Sequence, residues 1–266
     1  MTHTIRQLKA LLSIYIQDGL AYRASGIIWV LNDALTSAVM PMVLLAARGG
    51  QGVAGYSPGA IVLYYIVALF CTSIITCHFM WEMSQEIKEG TFTTFLLRPV
   101  GFLQFMFVRN LAWRIVRTVL FIPVLFIIIF MYSYWLRDPM IFITWEAILS
   151  LILGHLVSFM FVMFMATLAF YIEEASSVFE LYYIPMLFLS GQMFPIALFP
   201  EWARTVAHLL PFYYTTGLPT EILLGKVGSD QIWRLIGGQV FWVIFSYIGF
   251  KLSFKRGLKH YTGVGM

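Results

Sequence analysis

Long apolar runs, separated by short polar stretches, form the main pattern of this sequence. Six runs of roughly 20 residues are continuous rather than alternating, which favours helices that cross a membrane over the strands of a barrel. They cover residues 27–46, 61–80, 119–135, 145–170, 178–194 and 232–254. A turn at 137–139 and a polar break at 173–177, with Glu173 and Glu174, separate later runs. The pattern predicts an all-α, polytopic membrane protein with six transmembrane helices.

The N-terminal stretch has a different pattern, in which apolar and polar residues recur with a helical period. Polar side chains such as Arg6 and Lys9 fall on one face and apolar ones on the other. The apolar face comprises Ile5, Leu8, Leu11, Leu12, Tyr15 and Ile16. A helix with two such faces is expected to lie along a membrane surface, so residues 1–22 are predicted to be an amphipathic interfacial helix.

An apolar region between the fifth and sixth runs is interrupted by prolines, in the sequence GQMFPIALFPEWARTVAHLLPFYYTTGLP at 191–219. Because proline removes a backbone donor and ends or kinks helices, a further full span is not expected there. We predict a broken re-entrant segment within residues 191–230, with prolines that end half-helices at an outer gate. Gly191 is expected to allow close approach where the fifth span breaks, and Pro195 to stop that span from continuing as a helix. The expected gate residues are Gly191, Phe194, Pro195, Pro200, Trp202 and Pro211.

Composition supports a single membrane domain over residues 1–266. Hydrophobic residues make up 60% of the chain and charged residues 11%, and the mean hydropathy is +0.83. No polar block is long enough for a separate soluble domain. The net charge of +4 is not arranged in a basic stripe, so membrane lipid is the expected partner and nucleic acid is not. Cys71 and Cys77 have neither metal-ligand nor disulfide spacing, and no metal site is expected.

The distribution of basic residues predicts the orientation of the chain. In a six-span arrangement with both ends on one side, that side holds most of the 17 lysines and arginines. The other side holds only Arg48, Arg137, Arg204, Lys226 and Arg234. Because cytoplasmic loops are enriched in lysine and arginine, both termini and residues 81–118 are predicted to face the cytoplasm.

Residues 88–99, KEGTFTTFLLRP, form a polar, threonine-rich exception between apolar runs. With the next residue they resemble a signature of type-2 ABC exporter permeases: an acid, Gly-Thr, a Leu-Leu pair and a proline. The matching positions are Glu89, Gly90, Thr91, Leu96, Leu97 and Pro99. A second stretch, SGQMFPIALFPEW at 190–202, is similar to the same family's Gly, Phe-Pro, Pro, Trp pattern before the last span, and Pro211 follows. The resemblance covers essentially the whole chain.

This resemblance implies the permease subunit of an ATP-driven ABC exporter in a cell's inner or plasma membrane. Two permeases, the same chain or related ones, would form the translocation pathway above two separate ATPase subunits. Residues 88–99 would be the cytoplasmic coupling helix, and ATP and Mg²⁺ would be bound by the ATPase. The chain lacks a G-x-x-x-x-G-K-[ST] phosphate loop, so we expect no bound cofactor and no catalytic residues. The alternative from another class is a membrane channel or assembly scaffold that is not coupled to ATP.

If residues 91–97 are helical, three apolar side chains share one face: Phe92, Phe95 and Leu96. We expect these residues to be the anchors that dock on the ATPase, with Phe95 first. Lys88 and Glu89 are expected to pair with charges on the ATPase.

Polar residues in or beside the apolar runs suggest further roles. Asp33 lies inside the first run, where an acid either lines a pathway or pairs with a basic residue such as Arg23 or Arg114. His78 and Glu82 are four positions apart at the end of the second run, and we expect a pair at the cytoplasmic rim.

The sequence carries only indirect information about the cargo. An arginine that often follows the last proline of the second family motif is absent here, and Thr220 and Glu221 lie near that position. In dimers of this family the pathway would be lined by the first, second and fifth spans. Those spans are mostly aromatic and aliphatic in this chain, which favours an amphipathic or lipid-linked cargo.

Overall fold

The computed structural model of the protein describes residues 2–53, 55–137, 140–172 and 175–262. The regular secondary structure in these ranges consists of helices. The α-helices there are α1 (Thr2–Ala21), α2 (Arg23–Ala47), α3 (Pro58–Ile75), α4 (Met80–Lys88), α5 (Thr93–Leu96), α6 (Phe102–Met131), α7 (Trp145–Ala166), α8 (Ala175–Leu189), α9 (Glu201–Leu209), α10 (Leu218–Leu223) and α11 (Ser229–Gly257). Short 3₁₀ helices occupy Thr167–Phe170 and Ile196–Leu198, and a π-helix occupies Tyr213–Gly217. The predicted all-α class is confirmed. Parts of two predicted polar breaks, Asp138, Pro139, Glu173 and Glu174, lie outside the described residues.

Five helical stretches of the described residues are long and apolar enough to cross a membrane: Gly26–Ala47, Pro58–Lys88, Phe102–Met131, Trp145–Phe170 and Ser229–Gly257. They correspond to the first four predicted runs and the last one. The fifth predicted run, 178–194, corresponds to α8, which has 15 residues. A helix of that length extends about 23 Å, short of the ~30 Å of a hydrocarbon core. The chain is therefore a multi-pass membrane protein, and the count of six spans stays a prediction.

Helix α6 begins well before the third predicted run, which starts at residue 119. Its first turn is at Phe102, and its charged positions lowered the local hydropathy enough to hide this part of the helix. Two of these positions are ion-paired with other helices: Arg109 with Glu82, and Arg117 with Asp33. Because the pairing partly offsets the cost of desolvating these charges, the helix can carry them inside the bundle.

The second predicted run is interrupted between α3 and α4. Helix α3 ends at Ile75, and Thr76 has an extended backbone. The amide of Cys77 donates to the Ser158 hydroxyl at 3.0 Å, so a side chain of α7 satisfies a backbone group that the break releases. The chain becomes helical again at Met80.

Helix α1 lies along α6. The predicted apolar residues Leu8, Leu11, Leu12, Tyr15 and Ile16 are half-buried, whereas Arg6 and Lys9 are exposed. A Cβ added to Gly19 would lie 3.1 Å from the Val116 side chain, so the two helices are in close contact near that residue. The two predicted faces are confirmed, except at Ile5, whose side chain is not described. The location of α1 in a membrane interface stays a prediction.

Loops and helix ends that are distant in sequence meet at two ends of the bundle. At one end, the Tyr261 hydroxyl donates to the Gly90 carbonyl at 2.8 Å. At the other, the Lys226 ammonium lies 4.5 Å from the centre of the Tyr56 ring, and the Phe142 amide donates to the Leu223 carbonyl. At the first end, the C-terminal region of the chain therefore contacts residues 88–99. This contact agrees with the prediction that both lie on the same side of the membrane.

Candidate functional site

Residues 88–99, hereafter the coupling segment, reverse the chain direction between α4 and α6. Gly90 has a φ of +76°, a left-handed conformation that a residue with a Cβ rarely adopts. After this turn the amide of Phe92 and the hydroxyl of Thr91 both donate to the Glu86 carbonyl, at 2.9 and 3.2 Å. The single helical turn of α5 follows, as the resemblance implied for a short helix here.

Phe92 is fully buried inside its own chain, with 0% of its surface exposed. Besides Phe95, four aromatic rings from outside the coupling segment surround it, with centroids 5.1 to 6.3 Å away. They belong to Phe102, Phe170, Phe254 and Tyr261; we call these four residues and Phe92 the Phe92 cluster. The prediction that Phe92 forms an outward docking face is therefore wrong, because its aromatic side chain is the centre of an internal cluster.

Phe95 is half-buried and also points toward the bundle. Its ring centroid lies 5.3 Å from that of Phe105 on α6, and the Arg98 guanidinium lies 5.0 Å from its centre. Arg98 in turn donates to the Tyr15 hydroxyl of α1 at 3.3 Å. Phe95 thus helps to attach the coupling segment to α1 and α6, and its predicted rank as the first docking anchor does not fit this position.

Tyr261, near the C-terminal end of the sequence, holds the coupling segment in place through hydrogen bonds of its hydroxyl group. Besides its bond to Gly90, its hydroxyl accepts from the Thr93 amide at 3.2 Å and lies 3.0 Å from the Thr93 hydroxyl. Sequence analysis missed this residue because the two positions are far apart along the chain and no local pattern connects them. The contact makes the segment a fixed element rather than a loose connection.

The outward surface of the coupling segment is formed by other side chains. Leu97 is 80% exposed and Leu96 40% exposed, an unusual exposure for two adjacent leucines in a polar segment. The remaining exposed residues are Lys88, Glu89, Thr91, Thr94 and Pro99. Any protein that contacts this segment would thus meet a leucine pair within a polar rim.

The second irregular region starts at Gly191, two residues after the end of α8. Gly191 has a φ of +79°, its amide donates to the Phe188 carbonyl, and the Met193 amide reaches back to the Leu187 carbonyl. These bonds close the C-terminal end of α8, whose last residue is Leu189, well before Pro195. The prediction that Pro195 stops this helix is therefore wrong, because the left-handed glycine already ends it.

Tyrosines of α3 satisfy the backbone where α8 breaks. The Tyr64 hydroxyl donates to the Gly191 carbonyl at 2.7 Å, and the Tyr65 hydroxyl donates to the Met193 carbonyl at 2.8 Å. A Cβ at Gly191 would lie 2.6 Å from the Tyr64 hydroxyl, so the close approach requires glycine. An irregular backbone at membrane depth needs such partners.

Prolines of this region immediately precede helices. Pro195 precedes the 3₁₀ turn, and Pro200 precedes α9. Leu210, the residue before Pro211, is extended as expected, which ends α9 and lets a new helical segment begin. Of the other predicted gate residues, Phe194 stacks on Phe188, while Trp202 is exposed on α9.

Residues 211–220 run back through the bundle and are buried throughout. The side-chain amide of Gln239 on α11 donates to the carbonyls of Ser150 and Tyr214, both at 2.9 Å. Near the position of the absent family arginine, the Tyr213 hydroxyl donates to the Glu221 carboxylate at 2.7 Å. The chain thus places a half-buried acid with a hydroxyl partner there instead of a cation.

A cavity of about 870 Å³ lies between α1, α2, α4, α6 and α8. Arg117, which lines it, is ion-paired with Asp33, so the predicted pairing of Asp33 is present with a different partner from Arg23 or Arg114. Glu82 pairs with Arg109 at 2.9 Å rather than with His78, and the predicted rim pair is wrong. His78 lies in the break between α3 and α4, which turns its ring toward the cavity.

Comparison with known families agrees with this architecture. Residues 34–265 match the family model described as ABC-2 family transporter protein, a match that starts within α2 and extends past the end of α11. No curated protein matches the chain. The match covers most of the sequence, including the coupling segment and the break after α8, and the chain therefore belongs to the ABC-2 family of transporter proteins as a multi-pass membrane permease.

Proposed function

We propose that this chain is the permease subunit of an ATP-driven exporter. Two permease chains, identical or related, would form the pathway, and two ATPase subunits would supply ATP hydrolysis with their own bound ATP and Mg²⁺. Six spans, cytoplasmic termini and a re-entrant region at 191–230 complete the proposed arrangement. Family membership supports an association with ABC ATPases.

The exposed leucine pair of the coupling segment is the observation that carries the proposal. A segment that transmits motion between proteins must be fixed to one of them and accessible to the other. Here the inner face is fixed through Phe92, Phe95 and Tyr261. The outer face offers Leu96 and Leu97 as apolar anchors within a polar rim. We therefore move the proposed docking face from the phenylalanines to the leucines.

The proposed orientation can be tested with single cysteines in a background without Cys71 and Cys77. An impermeant thiol reagent added outside should label cysteines at Gly50 and Arg137 but not at Lys88. Labelling of position 88 in sealed cells would contradict the cytoplasmic location of the coupling segment.

The function itself is tested by co-purification from cells that express the permease and its ATPase. The wild-type complex should retain the ATPase and hydrolyse ATP. Leu97→Ala should weaken the association about tenfold or more, because burying a leucine contributes about 1.5–3 kcal/mol. The matched control is Leu209→Ala on α9, another exposed leucine (68% exposed) elsewhere on the surface, and this variant should retain the ATPase. A wild-type chain that holds no ATPase would favour the channel or scaffold.

A further inference from the structure

The cavity between α1, α2, α4, α6 and α8 contains a buried cation with free donors. Arg114 on α6 is only 4% exposed. Arg114 lines the cavity, and its Nη1 donates to the Ser73 carbonyl at 3.3 Å, whereas Nε and Nη2 are themselves buried and have no hydrogen-bond partner among the described residues. These two groups lie on the same edge of the guanidinium plane. That edge is the one that binds two oxygens of a carboxylate or phosphate side by side.

The neighbouring arginines differ from Arg114, since both are already neutralised. Arg109 is paired with Glu82 and Glu86, at 2.9 and 3.0 Å, and Arg117 is paired with Asp33. The described part of the chain offers Arg114 no carboxylate within 4.0 Å. Two other acids, Asp18 and Glu180, line the cavity but are exposed at its edge. A buried, unpaired cation is costly within a membrane protein, and such groups commonly serve a ligand.

The walls of the cavity are suited to an amphiphile. Trp29, Trp113 and Tyr183 supply aromatic surface around the arginine, and the volume falls within the range of small-molecule sites. On its α2 side the cavity is open, because Ile28 and Trp29 are exposed and also line it. The same helix continues with exposed Leu31 and Leu35, which would contact an alkyl chain that leaves the cavity sideways.

We infer that this cavity binds an amphiphile with an oxyanion headgroup, phosphate or carboxylate, which accepts hydrogen bonds from Nε and Nη2 of Arg114 while its apolar tail lies along α2. As a statement about exported cargo, this inference rests on the proposed function. As a statement about binding, it concerns the permease alone. A second, smaller cavity of about 260 Å³ shares Asn32 and Tyr183 with the first and reaches Gln192 and Met193 at the break after α8. A bound molecule would therefore have space toward the broken region.

The test is binding of dodecyl phosphate to the purified permease in an uncharged maltoside detergent, followed by native mass spectrometry and titration. The neutral detergent has an alkyl chain but no oxyanion, so it supplies the background. The wild type should bind dodecyl phosphate saturably. Arg114→Gln should weaken binding about tenfold or more, the loss expected for hydrogen bonds to a charged group. Arg114→Lys, which keeps the charge without the fork, should bind with intermediate affinity.

Controls separate the site from general effects. Arg204→Gln removes an exposed arginine of α9 and should bind like the wild type. If Arg114→Gln does not fold, as judged by gel filtration, the comparison of wild type with Arg114→Lys decides, and equal affinities would overturn the inference. Inorganic phosphate alone is the second arm. Binding of inorganic phosphate as tightly as dodecyl phosphate, with the same dependence on Arg114, would indicate a soluble anion and overturn the amphiphile.

The outcome is distinguishable from that of the proposed function because no ATPase is present in this measurement. A permease that retains its ATPase but binds no dodecyl phosphate would refute the inference alone. Unchanged binding by Arg114→Gln would do the same. A permease that binds dodecyl phosphate through Arg114 but holds no ATPase would retain the site and refute export.

Discussion

Two irregular segments interrupt the long helices of this permease, and they are stabilised in different ways. The coupling segment at 88–99 is held by aromatic rings packed around Phe92, and its far side exposes Leu97. The segment that begins at Gly191 is held mainly by hydrogen bonds to its backbone, from Tyr64 and Tyr65. One segment therefore has an inner and an outer face, whereas the other is enclosed at its break.

The difference indicates what each segment can do. Packing of aromatic side chains fixes the coupling segment as a rigid unit but leaves its outer surface free for a partner. Hydrogen bonds to carbonyl groups satisfy the backbone after α8 and tie it to α3, so a shift of either helix would disturb the other. Contact from outside is thus expected at the first segment, and coupled helix movement at the second.

The largest effect is expected from removing the central ring of the Phe92 cluster. Phe92→Ala deletes a fully buried aromatic side chain and should cost about 3–5 kcal/mol of stability. The measurement is thermal unfolding of the purified permease in detergent, and ATPase binding should be lost together with the folded protein. Leu96→Ala, four positions along the same segment, is the control. Its free energy of unfolding should lie within ~1 kcal/mol of that of the wild type. Similar unfolding of both variants would remove the distinction between inner and outer faces.

A smaller but still large effect is expected at the break after α8. Gly191→Ala strains a left-handed backbone position by about 1–2 kcal/mol, and its methyl group would displace the Tyr64 hydroxyl. Loss of that buried hydrogen bond adds roughly 1–3 kcal/mol. The midpoint temperature of thermal unfolding of the variant should fall accordingly. Gly237→Ala on α11 is the matched control, because a Cβ at that position meets no atom within 4 Å. This substitution should leave the stability unchanged or increase it. Equal behaviour of the two would mean that Gly191 is not required by its conformation.

Tyr261→Phe should have a modest effect on stability and a clearer one on coupling. The ring stays in the Phe92 cluster, but the hydroxyl bonds to Gly90 and Thr93 are lost, at about 1 kcal/mol for a typical hydrogen bond. We expect near-normal unfolding and reduced transport-linked ATP hydrolysis. Tyr134→Phe, at an exposed tyrosine, serves as the control. If hydrolysis in both variants matches the wild type, attachment of the segment by this hydroxyl is not important.

Much of the fold could be predicted from the sequence because hydropathy reflects burial in lipid directly. Five of the six long runs identified helices that are long enough to cross a membrane, and the period of α1 identified its two faces. The charged part of α6 was missed because Arg109 and Arg117 reduce hydropathy, although each has an acidic partner on another helix. Such pairing depends on tertiary contacts, which a local pattern does not contain.

The candidate site was predictable in position but not in detail. The motif located the coupling segment, yet helical spacing assigned the outer face to Phe92 and Phe95. Those rings turn inward because other aromatic rings pack against Phe92 from the start of α6, from the 3₁₀ helix after α7 and from α11, and the last two elements are far away in sequence. The unpaired state of Arg114 likewise depends on which acids reach its neighbours. Both features follow from packing among distant segments.

The most direct test of the proposed coupling is photocrosslinking from the leucine pair. A photoreactive phenylalanine analogue is introduced at Leu97 and, as the control, at Leu209, and each complex is irradiated with its ATPase present. We predict a crosslinked product of permease and ATPase from position 97 and none from position 209. A product from position 209 only, or none from position 97 in a preparation that still contains the ATPase, would contradict docking at the coupling segment.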